Sequence, residues 1–362
     1  MRIVVTSDYL STKPSVHGYQ SQQLMLAEAF TKMGHEVFVI SGKRKGLDHK
    51  TLEKMTVGFR IRLLPSFELP MLSKLFQMYI SGLTREIKII RPDLIICNEL
   101  HSFQTLRINL QIARKTPTVL IQGRFAKSSH SLFNILLSSY DNVYRLCGLH
   151  LQLACKTSTA AAYLGDTFRI RTSVIPVGVS DLFRPLTIAT EYDFIFVGAF
   201  SEIKRPLSFI KIIAECVSLG WNGKALMVGK GPLEDSVKQL ITEYKLHCYI
   251  EIIDYVANLD MPELYNRSKV LVSLSRTEIF GMVYLEALAC GCQVFCTDTA
   301  GSKDLAKEFN QMYILLDSDY SKTARKLLAA ISDNYKVNSS NIASYRWSII
   351  GKQIIALGHE HT

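Results

Sequence analysis

Several features missing from this chain narrow what it can be. No apolar run reaches the roughly 20 residues that a membrane-spanning helix takes. The first residues enter a strand pattern at once (Arg2-Ile3-Val4-Val5), so no secretory leader is expected. The eight cysteines form no paired framework. Cys97, Cys147, Cys155, Cys216 and Cys248 stand singly in apolar surroundings, and Cys290, Cys292 and Cys296 cluster without the two pairs of a zinc site. Buried thiols and a reducing, cytoplasmic compartment are expected. There is no P-loop and no Ser/His/Asp order. Gly229-Lys230-Gly231-Pro232 falls short of a dinucleotide fingerprint, since position 234 is glutamate. The aromatic–basic interleaving of nucleic-acid binders is also lacking, so no nucleic-acid partner is expected.

Acidic residues are scarce in one half. Residues 1–182 hold 23 Lys+Arg against 12 Asp+Glu, a balance of +11, whereas residues 183–362 hold 19 against 20, a balance of −1. A basic half points to an acidic partner such as an anionic membrane surface, a phosphorylated lipid or a nucleic acid; the plain alternative is a generally basic surface. The stretch Lys74–Arg85 sets large apolar residues beside cations, a stripe that lies on a membrane or, more often, in a core.

What is present is alternation. With 48% hydrophobic and 20% charged residues over 362 positions, the chain suits two globular domains. Strands are expected at Arg2–Thr6, Val37–Ile40, Arg60–Leu64, Leu94–Cys97, Thr118–Ile121 and His150–Leu153. The first helix is expected over Tyr19–Met33, with Leu24, Ala27, Phe30 and Met33 on one face. After a polar linker at 186–191 the pattern restarts. Strands at 192–197, 225–228, 249–253, 270–274 and 293–297 alternate with helices at 206–219, 233–244, 261–267 and 281–290. The fold class is therefore α/β, with two doubly wound parallel sheets. The segment Tyr345–Leu357 closes the chain as an amphipathic helix.

The densest chemical signal is Ser275-Arg276-Thr277-Glu278-Ile279-Phe280-Gly281-Met282-Val283-Tyr284-Leu285-Glu286-Ala287. A buried strand pattern precedes it and a helical run follows. A helix starting near Gly281 turns its free N–H groups toward the loop that carries Glu278, which favours a phosphate there. Glu286 lies five residues further on, about 7–8 Å along the axis. One segment thus reaches both ends of an activated sugar: Glu286 near a hydroxyl on one side of a diphosphate, Glu278 near whatever the other phosphate carries.

This line, with Ser275-Arg276, Glu278, Phe280-Gly281, Glu286-Ala287, Ala289 and Gly291, resembles the E-x7-E signature of retaining glycosyltransferases of family 4, the glycosyl transferases group 1. The resemblance continues at Val174–Pro185 and at Gly198–Pro206, where Lys204 matches an expected lysine but Ala199 replaces an expected arginine. It implies a GT-B fold, with two Rossmann-like domains facing each other across a cleft. The boundaries expected are 1–185 on the acceptor side, 186–343 for the nucleotide sugar, and a helix over 344–362 that crosses back to the first domain. Lys204 and Glu278 become the catalytic candidates. Lys204 and Arg205 would neutralise the diphosphate, and Tyr255 and Val256 would meet the base through backbone groups. Phe280, Gly281, Met282, Val283 and Glu286 complete the donor set, with Glu286 on the ribose and Gly18 close to the diphosphate. His17, Glu99, His101, Gln122 and Arg124 are candidates on the acceptor side. No metal is expected, and Asp317-Ser318-Asp319 reads as a helix cap, not as a metal motif. No cofactor is implied beyond a UDP- or GDP-linked sugar as co-substrate. The acceptor would be a glycan or lipid-linked, in surface polysaccharide synthesis, with the enzyme cytoplasmic and peripheral on the inner face of the membrane. The alternatives are a sugar-nucleotide processing enzyme with a small soluble acceptor, and a non-catalytic protein that binds nucleotide sugars or nucleic acid.

Overall fold

A computed structural model of the chain describes residues 1–10, 22–43, 58–68, 78–123, 131–315, 319–332 and 339–360. His17, Gly18, Arg124, Asp317, Ser318 and the 74–77 part of the apolar–basic stripe lie outside the described residues. Two compact units emerge, one from described residues within 1–178 and 347–360, the other from those within 179–346.

Unit one is built on β1 (Arg2–Tyr9), β2 (Glu36–Lys43), β3 (Arg60–Glu68), β4 (Met78–Ile80), β5 (Leu94–Asn98), β6 (Thr118–Gln122), β7 (Gln152–Cys155) and β8 (Ser173–Val174). They form a single sheet in the order β4-β3-β2-β1-β5-β6-β7-β8. Every pairing is parallel except that of β3 with β4, where Ser66 faces Ile80 in antiparallel register. The central strands β5 and β6 and the first half of β1 are largely apolar because both faces are covered. Val4, Ile95 and Leu120 enter the core on one face, while Ile3, Val5, Ile96 and Val119 enter the core on the other. Helices α2 (Leu83–Ile90), α3 (Phe103–Gln111), α4 (Ser131–Cys147) and α5 (Ser158–Phe168) cover the first face. The opposite face takes α1 (Gln22–Lys32) and the chain's last helix, Trp347–His359. The latter buries Ile350, Ile354 and Leu357, spaced to fall on one helical stripe.

Unit two has β9 (Tyr192–Val197), β10 (Ala225–Val228), β11 (Ile250–Ile253), β12 (Ser268–Ser273), β13 (Gln293–Thr297) and β14 (Met312–Leu315). Its helices are α6 (Pro206–Ser218), α7 (Glu234–Glu243), α8 (Met261–Asn266), α9 (Met282–Cys290), α10 (Ala300–Glu308) and α11 (Tyr320–Ser332). The order is β11-β10-β9-β12-β13-β14, all parallel. The chain winds one way from β9 to β11, then returns and winds the other way from β12 to β14. The reversal falls between β9 and β12, so the loops that leave these two strands flank the switch point at the carboxyl edge, where doubly wound sheets bind ligands. Unit one reverses in the same way between β1 and β5.

Candidate active site

The loops after β9 and β12 flank the reversal point of unit two, and hydrogen bonds lock them together. Gly198 N–H donates to the Val228 carbonyl (3.0 Å), Phe200 N–H to that of Lys230 (3.1 Å), and Leu233 N–H to that of Phe200 (2.9 Å). This holds the β9 turn against the β10 turn. Gly229 makes the approach possible: its φ is +145°, and a Cβ there would lie 2.0 Å from the Gly198 carbonyl oxygen. The β12 loop joins through Arg276 N–H, which donates to the Ile203 carbonyl (2.8 Å).

That last bond sets Lys204 beside Glu278. The ammonium and the carboxylate form an ion pair, with side chains 27% and 20% exposed. Three residues on, Gly281 is the N-cap of α9 with φ +82°, and no side chain caps it. The Tyr284 ring lies against Gly281, where any Cβ would fall 2.3 Å from ring carbons. The early N–H groups of α9, from Met282 and Val283, are therefore left for solvent or a ligand. Lys204, Glu278 and this helix end form one partly buried, charge-bearing patch where a doubly wound sheet takes ligands. Phe280 is buried and fixes the turn. Arg205 is the N-cap of α6 in the left-handed region (φ +55°), followed by Pro206 at the helix start. Tyr255 is exposed and Val256 half-buried after β11.

Glu286, the expected ribose contact, lies in the interior of unit two. It is 2% exposed inside α9, and the Tyr265 hydroxyl donates to its Oε2 (3.2 Å). The physical reason is that α9 is buried on every side from Val283 to Cys290. Nothing in the sequence marked Tyr265, because a lone tyrosine in an apolar helix reads as core. Asp319 behaves as a cap: its Oδ1 accepts from Ser321 N–H (2.9 Å) and Lys322 N–H (3.2 Å) at the start of α11. Cys290, Cys292 and Cys296 are buried free thiols, and the Cys292 thiol donates to the carbonyls of Tyr265 (2.9 Å) and Ser268 (3.0 Å).

In unit one, Glu99, His101 and Gln122 converge at the ends of β5 and β6. Glu99 adopts φ +58°, a left-handed turn that leaves the next N–H in need of an acceptor. The Gln122 side-chain carbonyl supplies it, accepting from Leu100 N–H (2.8 Å), and the Glu99 carboxylate accepts from Gly123 N–H (3.0 Å). The Gln122 carbonyl oxygen thus serves this turn as an acceptor. His101 is buried, with Nε2 2.9 Å from Asp141 Oδ1. The Ser102 hydroxyl donates to Asp8 Oδ1 (3.0 Å). Asp8 and Asp141 escaped sequence reasoning, since each is a single carboxylate brought in from a distant element.

Burial pushes the Asp8 carboxyl up to about 7, against the Ser102 hydroxyl that donates to it and with help from Glu99. Asp8 is therefore neutral in the folded protein at mildly acid pH, while the unfolded chain has already lost that proton. Stability falls as pH rises between the unfolded value and about 7, then levels off. Asp8→Asn is expected to remove this loss. In urea unfolding the variant should gain about 4 kcal/mol over the parent at pH 8 and little at pH 4. A gain that does not change with pH would show that Asp8 is ionised in the fold.

The profile of the family "Glycosyl transferases group 1" matches residues 180–347. The chain is 20% identical to a phosphatidylinositol N-acetylglucosaminyltransferase subunit of Arabidopsis thaliana, over 98% of this chain and 80% of that protein. It is 23% identical to "Alpha-monoglucosyldiacylglycerol synthase" of Acholeplasma laidlawii, over 81% of this chain and 79% of that one. Among solved structures it superposes on Anabaena HepE in complex with UDP with a TM-score of 0.74 at 19% identity, covering 98% of this chain and 99% of the other. The two doubly wound units have the GT-B fold. The β12 loop, the Gly281 turn and α9 all fall within the matched residues, so the site-bearing loops of unit two lie in the part of the chain that is similar to the glycosyl transferases group 1.

Proposed function

We propose that the protein transfers a sugar, with retention of anomeric configuration and without a metal ion, from a nucleotide-diphosphate sugar to a glycan or lipid-linked acceptor. The observation that carries this reading is the Lys204–Glu278 pair beside the uncapped start of α9, at the reversal point of the sheet. A diphosphate there meets one ammonium and a row of N–H groups. Together they supply the positive charge that its departure needs. Glu278, released from Lys204 by the incoming phosphates, is free to accept from sugar hydroxyls. The bond from the anomeric carbon to the diphosphate oxygen breaks. The acceptor hydroxyl attacks from the same face, and its proton passes to the departing phosphate oxygen. Glu286 holds the ribose, Arg205 adds charge, and Tyr255 and Val256 lie at the base. Glu99, His101 and Gln122 shape the acceptor side in unit one. UDP- and GDP-linked sugars are both in scope. The solved relative HepE is described with UDP, and the two relatives named above, from Arabidopsis thaliana and Acholeplasma laidlawii, carry names of glycolipid synthesis. Such acceptors and the basic first half together support a peripheral association with the inner face of a membrane, serving surface polysaccharide synthesis. Among the described residues no helix is long and apolar enough to cross a membrane.

Metal independence has a simple test. Transfer by the purified protein is expected to continue in excess EDTA, because Lys204 and the α9 start carry the neutralising charge. Full inactivation by the chelator, restored by manganese, would contradict this. Ala199, in place of the arginine that the family resemblance leads one to expect, favours one other reading, a protein that binds nucleotide sugar without turning it over. Slow hydrolysis of the donor by the protein alone would separate catalyst from binder.

A further inference from the structure

Helices α2, α3, α4 and α5 lie side by side on one face of the unit-one sheet, packed through Leu83, Ile87, Ile108, Tyr144 and Leu164. Each runs back from the carboxyl edge and leads into the next strand. Their four C-terminal ends therefore stand in a row at the amino edge, where β1, β5, β6 and β7 begin. Large apolar side chains are bare in that row. Ile89 is 63% exposed at the end of α2, Leu110 is 45% exposed at the end of α3, and Leu146 is 86% exposed at the end of α4. A single exposed leucine needs no explanation; three at adjacent helix ends do.

Cations surround them. Arg85, Lys88, Arg91, Arg114, Lys115, Arg145, Arg169 and Arg171 are all exposed. Arg114 donates to the Cys147 carbonyl (3.2 Å) and Arg145 to the Thr167 carbonyl (2.9 Å), so these two also cap helix ends, as cations favour. The other six take no carboxylate partner among the described residues. With Arg2, four of these side chains (Arg85, Lys88, Ile89, Arg91) line an open groove of about 790 Å³. Acids at this edge are fewer and partly taken. Glu36 pairs with Arg2 (3.0 Å) and Arg60 (3.2 Å), and Asp93 accepts from the Arg2 N–H (2.6 Å). Asp166 and Glu360 are exposed.

We propose that this amino edge of unit one is the face by which the protein sits on an anionic lipid bilayer. The inference rests on the peripheral association proposed above and gives that association a place. Charge complementarity argues for an anionic partner, and the bare aliphatic side chains choose among anions. A bilayer interface takes cations at its phosphates and isolated Ile and Leu side chains just beneath them. A nucleic acid uses the charge and leaves Leu146 in water. The face also orients the enzyme. The carboxyl edge that carries Glu99 and Gln122 is the far end of the same strands, and five residues of β5 at about 3.3 Å each set it roughly 17 Å away. An acceptor reaches that edge only on an extended carrier.

Co-sedimentation of the full chain with phosphatidylcholine vesicles, with and without phosphatidylglycerol, tests the face. The parent is expected to bind only the anionic vesicles and to leave them at high salt. A Lys88→Glu/Arg91→Glu/Arg171→Glu variant should partition at least about a hundredfold less, since each basic residue near such a surface counts for about a factor of five to ten and each is reversed here. An Ile89→Ser/Leu146→Ser variant keeps every charge and should partition severalfold less. Both should keep the parent's melting temperature and nucleotide-sugar binding. Parent-like binding by both variants, equal binding of the parent to neutral vesicles, a preference for duplex DNA over anionic vesicles, or a parent dimer that the variants break would each overturn the proposal. A parent that binds anionic vesicles but no nucleotide sugar refutes the proposed donor and leaves this face standing; the reverse result refutes the face alone.

Discussion

Lys204→Ala is expected to lower turnover at saturating donor by at least tenfold, and by about a hundredfold if Lys204 acts like one lost transition-state donor. The expectation follows from how little charge stands at the turn. Ala199 supplies none, the α9 start offers N–H dipoles only, and Lys204 and Arg205 are left as the cations of this turn. Removing the ammonium also frees Glu278, so a bound diphosphate would then face an unpaired carboxylate. Lys204→Arg keeps the charge but changes its shape, and should recover part of the loss. Steady-state kinetics with a nucleotide sugar in EDTA makes the comparison. If Lys204→Ala kept the parent's turnover and raised only KM, Lys204 would be a ground-state contact and not a stabiliser of the departing diphosphate.

Glu286→Ala should weaken nucleotide-sugar binding by about 1.5–3 kcal/mol, the cost of losing a hydrogen bond to a charged group. Its burial makes the control essential, because the same change strips the Tyr265 hydroxyl of an acceptor. Tyr265→Phe keeps the carboxylate and removes only that donor, so it should bind the donor sugar nearly as well as the parent. Titration calorimetry distinguishes the two. Parent-like affinity in Glu286→Ala, with lowered stability, would make Glu286 a structural acid and end the ribose assignment.

Much of the fold was legible because it is local. Unbroken apolar strands such as Val4-Val5 and Leu94–Cys97 announce a sheet covered on both faces, and the helices between them fix parallel crossovers. Elements that depend on distant partners were not legible. β4 is three residues long and pairs backwards with β3, and β8 is two residues long; neither has enough sequence to show a period. In the candidate site, each loop was recognisable as the end of a strand. The pairing of Lys204 with Glu278 was not, because 74 positions separate them and only the reversal between β9 and β12 brings their loops together. The enclosure of Glu286 was not legible for a related reason. A glutamate at a motif position looks solvent-directed until the helix is found enclosed on every side. In unit one, the set of Asp8, Ser102, His101 and Asp141 joins three separate stretches of chain, and no spacing foretells it.

The central claim is that the turn carrying Lys204 and Glu278 holds a nucleotide-diphosphate sugar unaided by metal. Calorimetric titration of the full chain in EDTA with UDP-glucose, UDP-N-acetylglucosamine and GDP-mannose, repeated on Lys204→Ala, tests it most directly. Saturable binding of at least one donor by the parent, weakened at least tenfold in the variant, is the expected result. No binding of any of the three, or equal affinity in parent and variant, would contradict the account.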